Sequence, residues 1–278
     1  MELLPKFDFK FDMVFADPPY FLSNNGLSIQ SGEIVSVNKG NWDKSEGFDF
    51  INNFNRKWLK LVREKMRDDA TIWISGTYHN IFSIGQILQE LNFKILNVIT
   101  WEKNNPPPNF SCRYFTHSSE LIIWARKEEK VPHYYNYELM KNLNDGKQMK
   151  DVWKLPAISR WEKSCGKHPT QKPLSVLTRI ILASTKPNAW ILDPFTGSST
   201  TGIAANLINR RFLGIDQDTE FLELSKNRKL EIENLEIAQN YREKLNGFHS
   251  KKELENYLVS EDRTEYKTEY KTELNFIK

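Results

Sequence analysis

Cysteine is scarce in this sequence: Cys112 and Cys165 are the two among 278 residues. So low a count argues against a disulfide framework and for free thiols in a reducing compartment. No apolar run approaches the roughly 20 residues that span a bilayer. The opening MELLPKFDFKFD carries acids and no apolar h-region, so neither a membrane helix nor a signal peptide is expected, and a cytoplasmic location is. None of the five histidines stands with a cysteine or an acid at metal-ligand spacing. No metal is therefore expected, and His117 and His168 read as hydrogen-bonding groups. Large net charge is also missing, at +3 overall.

The distribution of charge says more than its sum. Residues 101–173 hold thirteen Lys or Arg against eight Asp or Glu, a local surplus of five, and carry ten aromatic residues. Basic side chains interleaved with aromatics suit a surface that grips phosphates and stacks on bases. A solvated face over an aromatic core has the same composition, so composition alone does not choose.

Along the chain, short apolar runs alternate with segments of helical period. FDMVFADPPY reads as a strand running into a sharp turn, and residues 24–47, rich in Asn, Gly and Ser, read as a long loop. A helix (FDFINNFNRKWLKLVREKM), a strand (ATIWISG), a helix (NIFSIGQILQELN) and a strand (FKILNVITWEK) follow. The three prolines of NNPPPNFSCRYF forbid regular structure, and ELIIWARK is a further strand. Residues 128–168 read as irregular. Then come an amphipathic helix (KPLSVLTRIILAST), a strand–loop–helix (AWILDPFTGSSTTGIAANLI), the strand RRFLGID and one long charged helix from Thr219. Strand–helix alternation predicts an α/β fold with a doubly wound, mainly parallel sheet. Residues 1–246 are read as one domain, with 102–166 inserted into it. Residues 247–278, with their repeat TEYKTEYKTEL, are read as a charged appendage, part helix and part disordered.

Two strand ends carry chemistry. In FADPPY, Asp17 follows the apolar run, and neither Pro18 nor Pro19 has an N–H to continue a sheet, so the acid and the ring of Tyr20 are fixed on a stiff turn. In LDPFTGSSTTG, small residues between a strand and a helix let a ligand approach the backbone at the helix N-terminus. About 20 residues on, FLGID ends in Asp216, placed to accept hydrogen bonds from ribose hydroxyls. The loop matches neither GxGxxG nor GxxxxGK[ST], so it is not built for a pyrophosphate or triphosphate. It suits a nucleoside without phosphates, such as S-adenosylmethionine. If the strands MVFA and WILD flank the point where strand order reverses, both turns open into one crevice.

With DPPY at 17–20, DPFTGSSTTG at 193–202 and KHPTQKP at 167–173, the chain resembles the amino-methyltransferases that methylate adenine N6 or cytosine N4 in DNA. The order, catalytic motif before cofactor loop, is that of the β class, which includes many enzymes of restriction–modification systems. The wording ADPPYFLSN, NPPPNFSCRYFTHSSE and NDGKQMKDVW is most similar to the second adenine methyltransferases of DpnII-type systems, which act on GATC. The resemblance spans roughly residues 3–230.

It implies a Rossmann-like methyltransferase fold with 102–166 as target-recognition region, DNA as partner, a second copy of the chain as a further partner to consider, and a flipped adenine as substrate. The implied catalytic residues are Asp17, Pro18, Pro19 and Tyr20: the carboxylate and the Pro18 carbonyl accept the two amino hydrogens, and the tyrosine ring stacks on the base. The implied cofactor residues are Asp193, Phe195, Thr196, Gly197, Ser198, Ser199, Thr200, Asp216 and Gln217, with Thr170 and Lys172 near the methionine carboxylate. Asn104, Asn105, Asn109 and Arg113 are the candidates for DNA contact. Two departures stand out. Ser199 replaces the usual last glycine of the cofactor loop, and the extra strand and Gly-Asp turn that usually precede the catalytic strand are absent before Asp12. The rival readings are cytosine-N4 methylation, for which family members more often carry Ser at the position of Asp17, a catalytically inert DNA-binding module, and an RNA or small-molecule substrate.

Overall fold

The first strand, β1 (Phe11–Ala16), is almost wholly buried, as its run FDMVFA requires of a strand covered on both faces. The computed structural model describes residues 2–21, 27–30, 33–36, 47–104, 106, 108–109, 111–166, 168–245, 251–263 and 274–277. Around β1 lies an eight-stranded sheet in the order β10 (Leu274–Ile277), β9 (Arg211–Ile215), β8 (Trp190–Asp193), β1, β4 (Met66–Gly76), β6 (Ser119–Arg126), β5 (Lys94–Lys103) and β7 (Val152–Leu155). Pairings are parallel except at β6, which runs antiparallel to both neighbours. The doubly wound α/β sheet predicted from the alternation is thus present.

Helices cover both faces. On one, α1 (Phe48–Lys65) and α2 (Ile81–Glu90) bury Trp58, Leu59, Val62, Ile84, Ile87 and Leu88 against the β1–β4 side. On the other, α4 (Leu174–Ser184) and α5 (Thr200–Leu207) pack on a core that includes Trp73 and Trp124, stacked at 4.6 Å and 11°. Helix α4 is not the one-sided amphipath the sequence suggested. All its residues are buried, Thr178 and Arg179 included. Two of its polar groups find partners within the fold: the Ser184 hydroxyl accepts from Trp73 Nε1 at 3.1 Å, and the Arg179 guanidinium lies over the Trp153 ring.

Other differences have local causes. The expected loop at 24–47 contains a short antiparallel pair, β2 (Leu27–Gln30) and β3 (Glu33–Ser36); most of the remainder lies outside the described residues. The stretch expected as irregular contains α3 (Tyr137–Asn142) and β7. The segment 102–166, expected as one insertion, contains two strands of the sheet, β6 between β4 and β5 and β7 at the edge beside β5. The long charged helix is two, α6 (Thr219–Glu233) and α7 (Leu235–Lys244), because the Asn234 side chain accepts from Glu236 N and Ile237 N and so starts a new helix. The expected appendage includes α8 (Lys251–Arg263), whose Leu254 and Leu258 are buried in the core and whose Glu261 pairs with fully buried Arg210 at 2.7 Å. A charge-rich sequence hid this packing, since two apolar residues four apart suffice to seat a helix.

Candidate active site

Strands β1 and β8 are parallel neighbours, with Met13 opposite Ile191 and Val14 opposite Leu192. Their connections depart to opposite sides, β1 through α1 to β4 and β8 through α5 to β9, so their carboxyl ends flank the switch point. A cavity of about 750 Å³ opens there, lined by Asp17–Tyr20 from one turn and by Asp193–Ser198 from the other, with Asp216, His168, Thr170 and Lys172. The two turns that the sequence singled out thus share one crevice.

On the β1 side, Asp17 is gripped at both oxygens. Tyr20 Oη donates to Oδ1 at 2.7 Å and Lys172 Nζ to Oδ2 at 2.5 Å. Lys172 also donates to Tyr20 Oη at 3.3 Å and lies 3.6 Å from Glu120 Oε2, while Lys103 pairs with Glu120 Oε1 at 2.5 Å. Burial works against the Lys172 ammonium, but Asp17, Tyr20 and Glu120 outweigh it and hold its pKa well above the ordinary lysine range. Burial and the neighbouring Asp17 push the Tyr20 hydroxyl up, so it stays protonated as a donor. Lys172, expected near a methionine carboxylate, lines this cavity with its ammonium paired to Asp17. Tyr20 was expected to stack on a base; its ring is 6 % exposed, with its hydroxyl tied into this cluster.

The turn that delivers Lys172 is built by Glu162. This buried residue accepts from Ser159 N at 2.8 Å and from Leu174 N at 2.7 Å, capping α4, while its carbonyl accepts from Gln171 Nε2. Desolvation raises its pKa, and the two backbone donors oppose that rise. Within the same turn, burial lowers His168 to about 4, so the imidazole is neutral; it packs against Phe221 at 4.2 Å. A Cβ on Gly197 would come within 2.9 Å of its Nε2, and Gly197 has φ +50°, so glycine is required twice over at this point.

On the β8 side the loop is held from beneath. Asp193 accepts from Phe195 N at 3.0 Å and Thr201 Oγ1 at 2.6 Å, and burial pushes its carboxyl up to about 7. Asp216 accepts from Gly197 N at 2.8 Å and Asp218 N at 2.9 Å, and its pKa too is raised, by burial first. Ser199 is buried in the left-handed region (φ 54°, ψ 37°), the conformation a glycine would supply, and its hydroxyl bonds Thr196 Oγ1 at 2.8 Å. Two residues of α6 that sequence reasoning missed complete the cradle. Arg228 donates to Ser198 O at 2.6 Å and Thr200 Oγ1 at 2.9 Å, and Ser225 donates to Gly197 O at 2.9 Å. Phe195 packs edge-on to Trp58 at 5.2 Å, and Gln217 is exposed at the rim.

These residues fit S-adenosylmethionine. Asp216 keeps lone-pair capacity for ribose hydroxyls beyond its backbone donors, Phe195, Ile215 and Phe221 offer apolar cover, and the acidic lining suits a cation. Volume agrees as well, since such ligand pockets run from about 300 to 1,000 Å³. Among the described residues no group of three His, Cys, Asp or Glu stands close enough to hold a metal ion. Of the expected DNA contacts, Asn104 and Arg113 are exposed, whereas Asn109 shapes its own loop, its Nδ2 donating to Tyr114 O and its Oδ1 accepting from Ser111 N. Asn105, like Lys167 of the KHPTQKP turn, lies outside the described residues.

The family model described as DNA methylase, of the N6/N4 type, matches residues 11–227. Type II methyltransferase M2.MboI of Moraxella bovis is 64 % identical over 225 residues, which are 81 % of this chain and 82 % of that protein. Type II methyltransferase M2.DpnII of Streptococcus pneumoniae is 59 % identical over 80 % and 83 % respectively. Among solved structures, the M1.HpyAVI complex with S-adenosylmethionine is similar at a TM-score of 0.60 and 25 % identity, covering 82 % of this chain and 94 % of that one. The PvuII cytosine-N4 DNA methyltransferase shares the fold at a TM-score of 0.65 and 19 % identity, over 88 % and 90 %. With family match, relatives and cofactor crevice in agreement, the chain belongs to the N6/N4 DNA methylase family and is a site-specific, S-adenosylmethionine-dependent DNA methyltransferase of the type II restriction–modification kind.

Proposed function

We propose that the chain methylates the N6 amine of an adenine swung out of DNA, at GATC sites. One observation carries this reading: the Asp17 carboxylate, on the turn that also presents the Pro18 carbonyl, lines the same cavity as the cofactor loop. An exocyclic amine is a poor nucleophile because its lone pair is delocalised into the ring. When bound, S-adenosylmethionine supplies an electrophilic methyl group on its sulfonium. Asp17 and the Pro18 carbonyl each accept one amino hydrogen, which draws the nitrogen toward tetrahedral geometry and frees its lone pair. The two prolines fix the carbonyl's direction, so the acceptors are in place before the base arrives. Lys172 and Tyr20 do the same for the carboxylate by anchoring each oxygen, and each oxygen keeps a lone pair for the amine. Everting the base costs a few kcal/mol.

Asp17 at this position supports adenine over cytosine, and likeness to the DpnII-type enzymes supports GATC. The loop from Asn104 to Ser118 is the part of 102–166 assigned to target recognition. No helix among the described residues is long and apolar enough to cross a membrane, in keeping with work on cytoplasmic DNA. The test is to methylate duplex DNA with isotope-labelled S-adenosylmethionine, digest it to nucleosides and separate them. Label in N6-methyldeoxyadenosine is expected; label in N4-methyldeoxycytidine overturns the adenine assignment. Methylation-sensitive sequencing of the same DNA then finds the mark in GATC, or moves the site elsewhere.

A further inference from the structure

Two loops next to the catalytic crevice present unburied rings to solvent. The first follows β4 and carries Tyr78 and His79; the second precedes β6 and carries Tyr114, Phe115 and His117. Across the gap between them Tyr78 and His117 stack, with ring centroids 4.9 Å apart and planes at 20°. His79 extends the cluster from Tyr78 at 3.8 Å, and Tyr114 extends it from His117 at 5.4 Å. Tyr78 is 51 % exposed, Tyr114 61 % and Phe115 96 %. An aromatic patch left open to water marks a contact surface.

The platform is braced. At Gly76 a Cβ would lie 2.6 Å from Asn80 Oδ1, so only a bare backbone lets that amide fold back and accept from Thr77 N at 3.0 Å. On the other loop, Asn109 holds the Tyr114 carbonyl and the Ser111 amide. It is also next to the chemistry. Ser75, three residues before Tyr78, has its hydroxyl beside Tyr20. Glu120, three residues after His117, lies 3.6 Å from Lys172. Three residues of extended chain span about 10 Å. Arg113, exposed and next to Tyr114 in the chain, adds a positive charge for a phosphate.

Resting on the DNA methyltransferase reading above, we propose that the Tyr78–His117 pair is a stacking platform for the base that flanks the target on the methylated strand. When the target leaves the helix, its neighbour loses a stacking face, and these rings replace it. Such stacking is sequence-tolerant, because every base has a π-face.

The experiment uses a duplex that the wild-type chain methylates, with the base 3′ of the target adenine replaced by 5-iodouracil, a photoreactive isostere of thymine. Irradiation of the complex followed by mass spectrometry is expected to find the cross-link on Tyr78 or His117. Tyr78→Ala and His117→Ala are each expected to weaken DNA binding roughly tenfold, within the range that loss of one base–aromatic stack gives. Tyr78→Phe, which keeps the ring, should bind as wild type, and S-adenosylmethionine affinity, unchanged in all three, certifies the fold. Cross-links confined to other residues, or alanine variants that bind DNA as tightly as wild type, overturn the platform. A wild-type chain that methylates no DNA would instead overturn the reading on which it rests, and the platform with it.

Discussion

The two sides of the switch point are built in opposite ways. On the cofactor side, Thr196, Ser198, Ser199 and Thr200 are buried, and hydroxyls, Arg228 and Ser225 tie the loop into a fixed cradle. On the target side, beyond the buried Asp17–Lys172 cluster, the loops after β4 and before β6 expose tyrosines and Phe115. The difference follows from the ligands. A small molecule of constant shape is bound best by a site whose polar groups are already placed. A base enclosed by its duplex brings a large, wet, charged partner along, so the surface that meets it has to stay open until it arrives. Asp17 stands where the two styles meet: it is as firmly anchored as the cofactor loop, but faces the target.

The largest effects are expected where that boundary is broken. Asp17→Ala removes an acceptor aimed at the reacting nitrogen, a change of the kind that costs about 10²–10³ in rate or more. Methyl incorporation into DNA should fall at least that far while DNA binding persists; a variant that methylates at near wild-type rate would refute the role given to Asp17. Lys172→Met comes next. Removing one partner of a buried pair costs about 3–5 kcal/mol, so the melting temperature should drop and kcat fall with little change in S-adenosylmethionine affinity. The double variant Asp17→Asn, Lys172→Met should recover much of the stability and none of the activity, because no charge is then left unpaired. Additive losses would show that the pair is not coupled.

A third effect sharpens the cofactor side. Asp193, held near pKa 7 by burial, keeps its proton in the folded chain up to about that pH, whereas an unfolded aspartate loses it near 4. Without cofactor, the native carboxyl binds more protons across that window, so its contribution to stability should fall as pH rises from about 4 to about 7. A cationic cofactor favours the ionised carboxyl, so its affinity should move the other way, rising with pH by up to about tenfold per unit below 7. Burial lowers His168 from the ordinary 6.5 to about 4, so across part of the same window the unfolded chain holds the extra proton and His168 opposes the fall in stability; neutral in the folded chain, it leaves the affinity slope to Asp193 and to Asp216, also raised by burial. Calorimetric titration of S-adenosylmethionine at pH values below and above about 7 reads the slope. Asp193→Asn should flatten it, and an unchanged slope in that variant would assign the titration elsewhere.

What the sequence revealed and what it hid divide along contact range. The DPPY turn, the strand–loop–helix at Asp193–Leu207 and the acid at Asp216 were legible because each is written in a short stretch of chain, where prolines, small residues and a strand end act locally. The hold of Lys172 on Asp17 crosses 155 residues, and that of Arg228 on the cofactor loop about 30, so neither leaves a local trace. The same holds for β6 as a sheet strand inside the expected insertion, and for α8, whose two buried leucines sit among charges. The stacked pair Tyr78–His117 joins two loops that no motif connects.

Ser199 gives the smallest effect and the finest test of how rigid the cofactor side is. Its left-handed backbone costs a non-glycine residue about 1–2 kcal/mol, and its hydroxyl bond to Thr196 returns about 0.5–1.5 kcal/mol. Ser199→Gly relieves the first and forfeits the second, and also gives the unfolded chain extra freedom worth about 0.5–1 kcal/mol. The sum should leave stability within about 1 kcal/mol of wild type, a shift of only about 2–4 °C for a chain of this size, and cofactor affinity within a few-fold. Ser199→Ala keeps the strain and loses the hydroxyl, so it should be the less stable of the two variants, by thermal melting. If alanine instead equals wild type, the Thr196–Ser199 bond is not what offsets the strained backbone, and the buried contacts around the loop must hold it without that help.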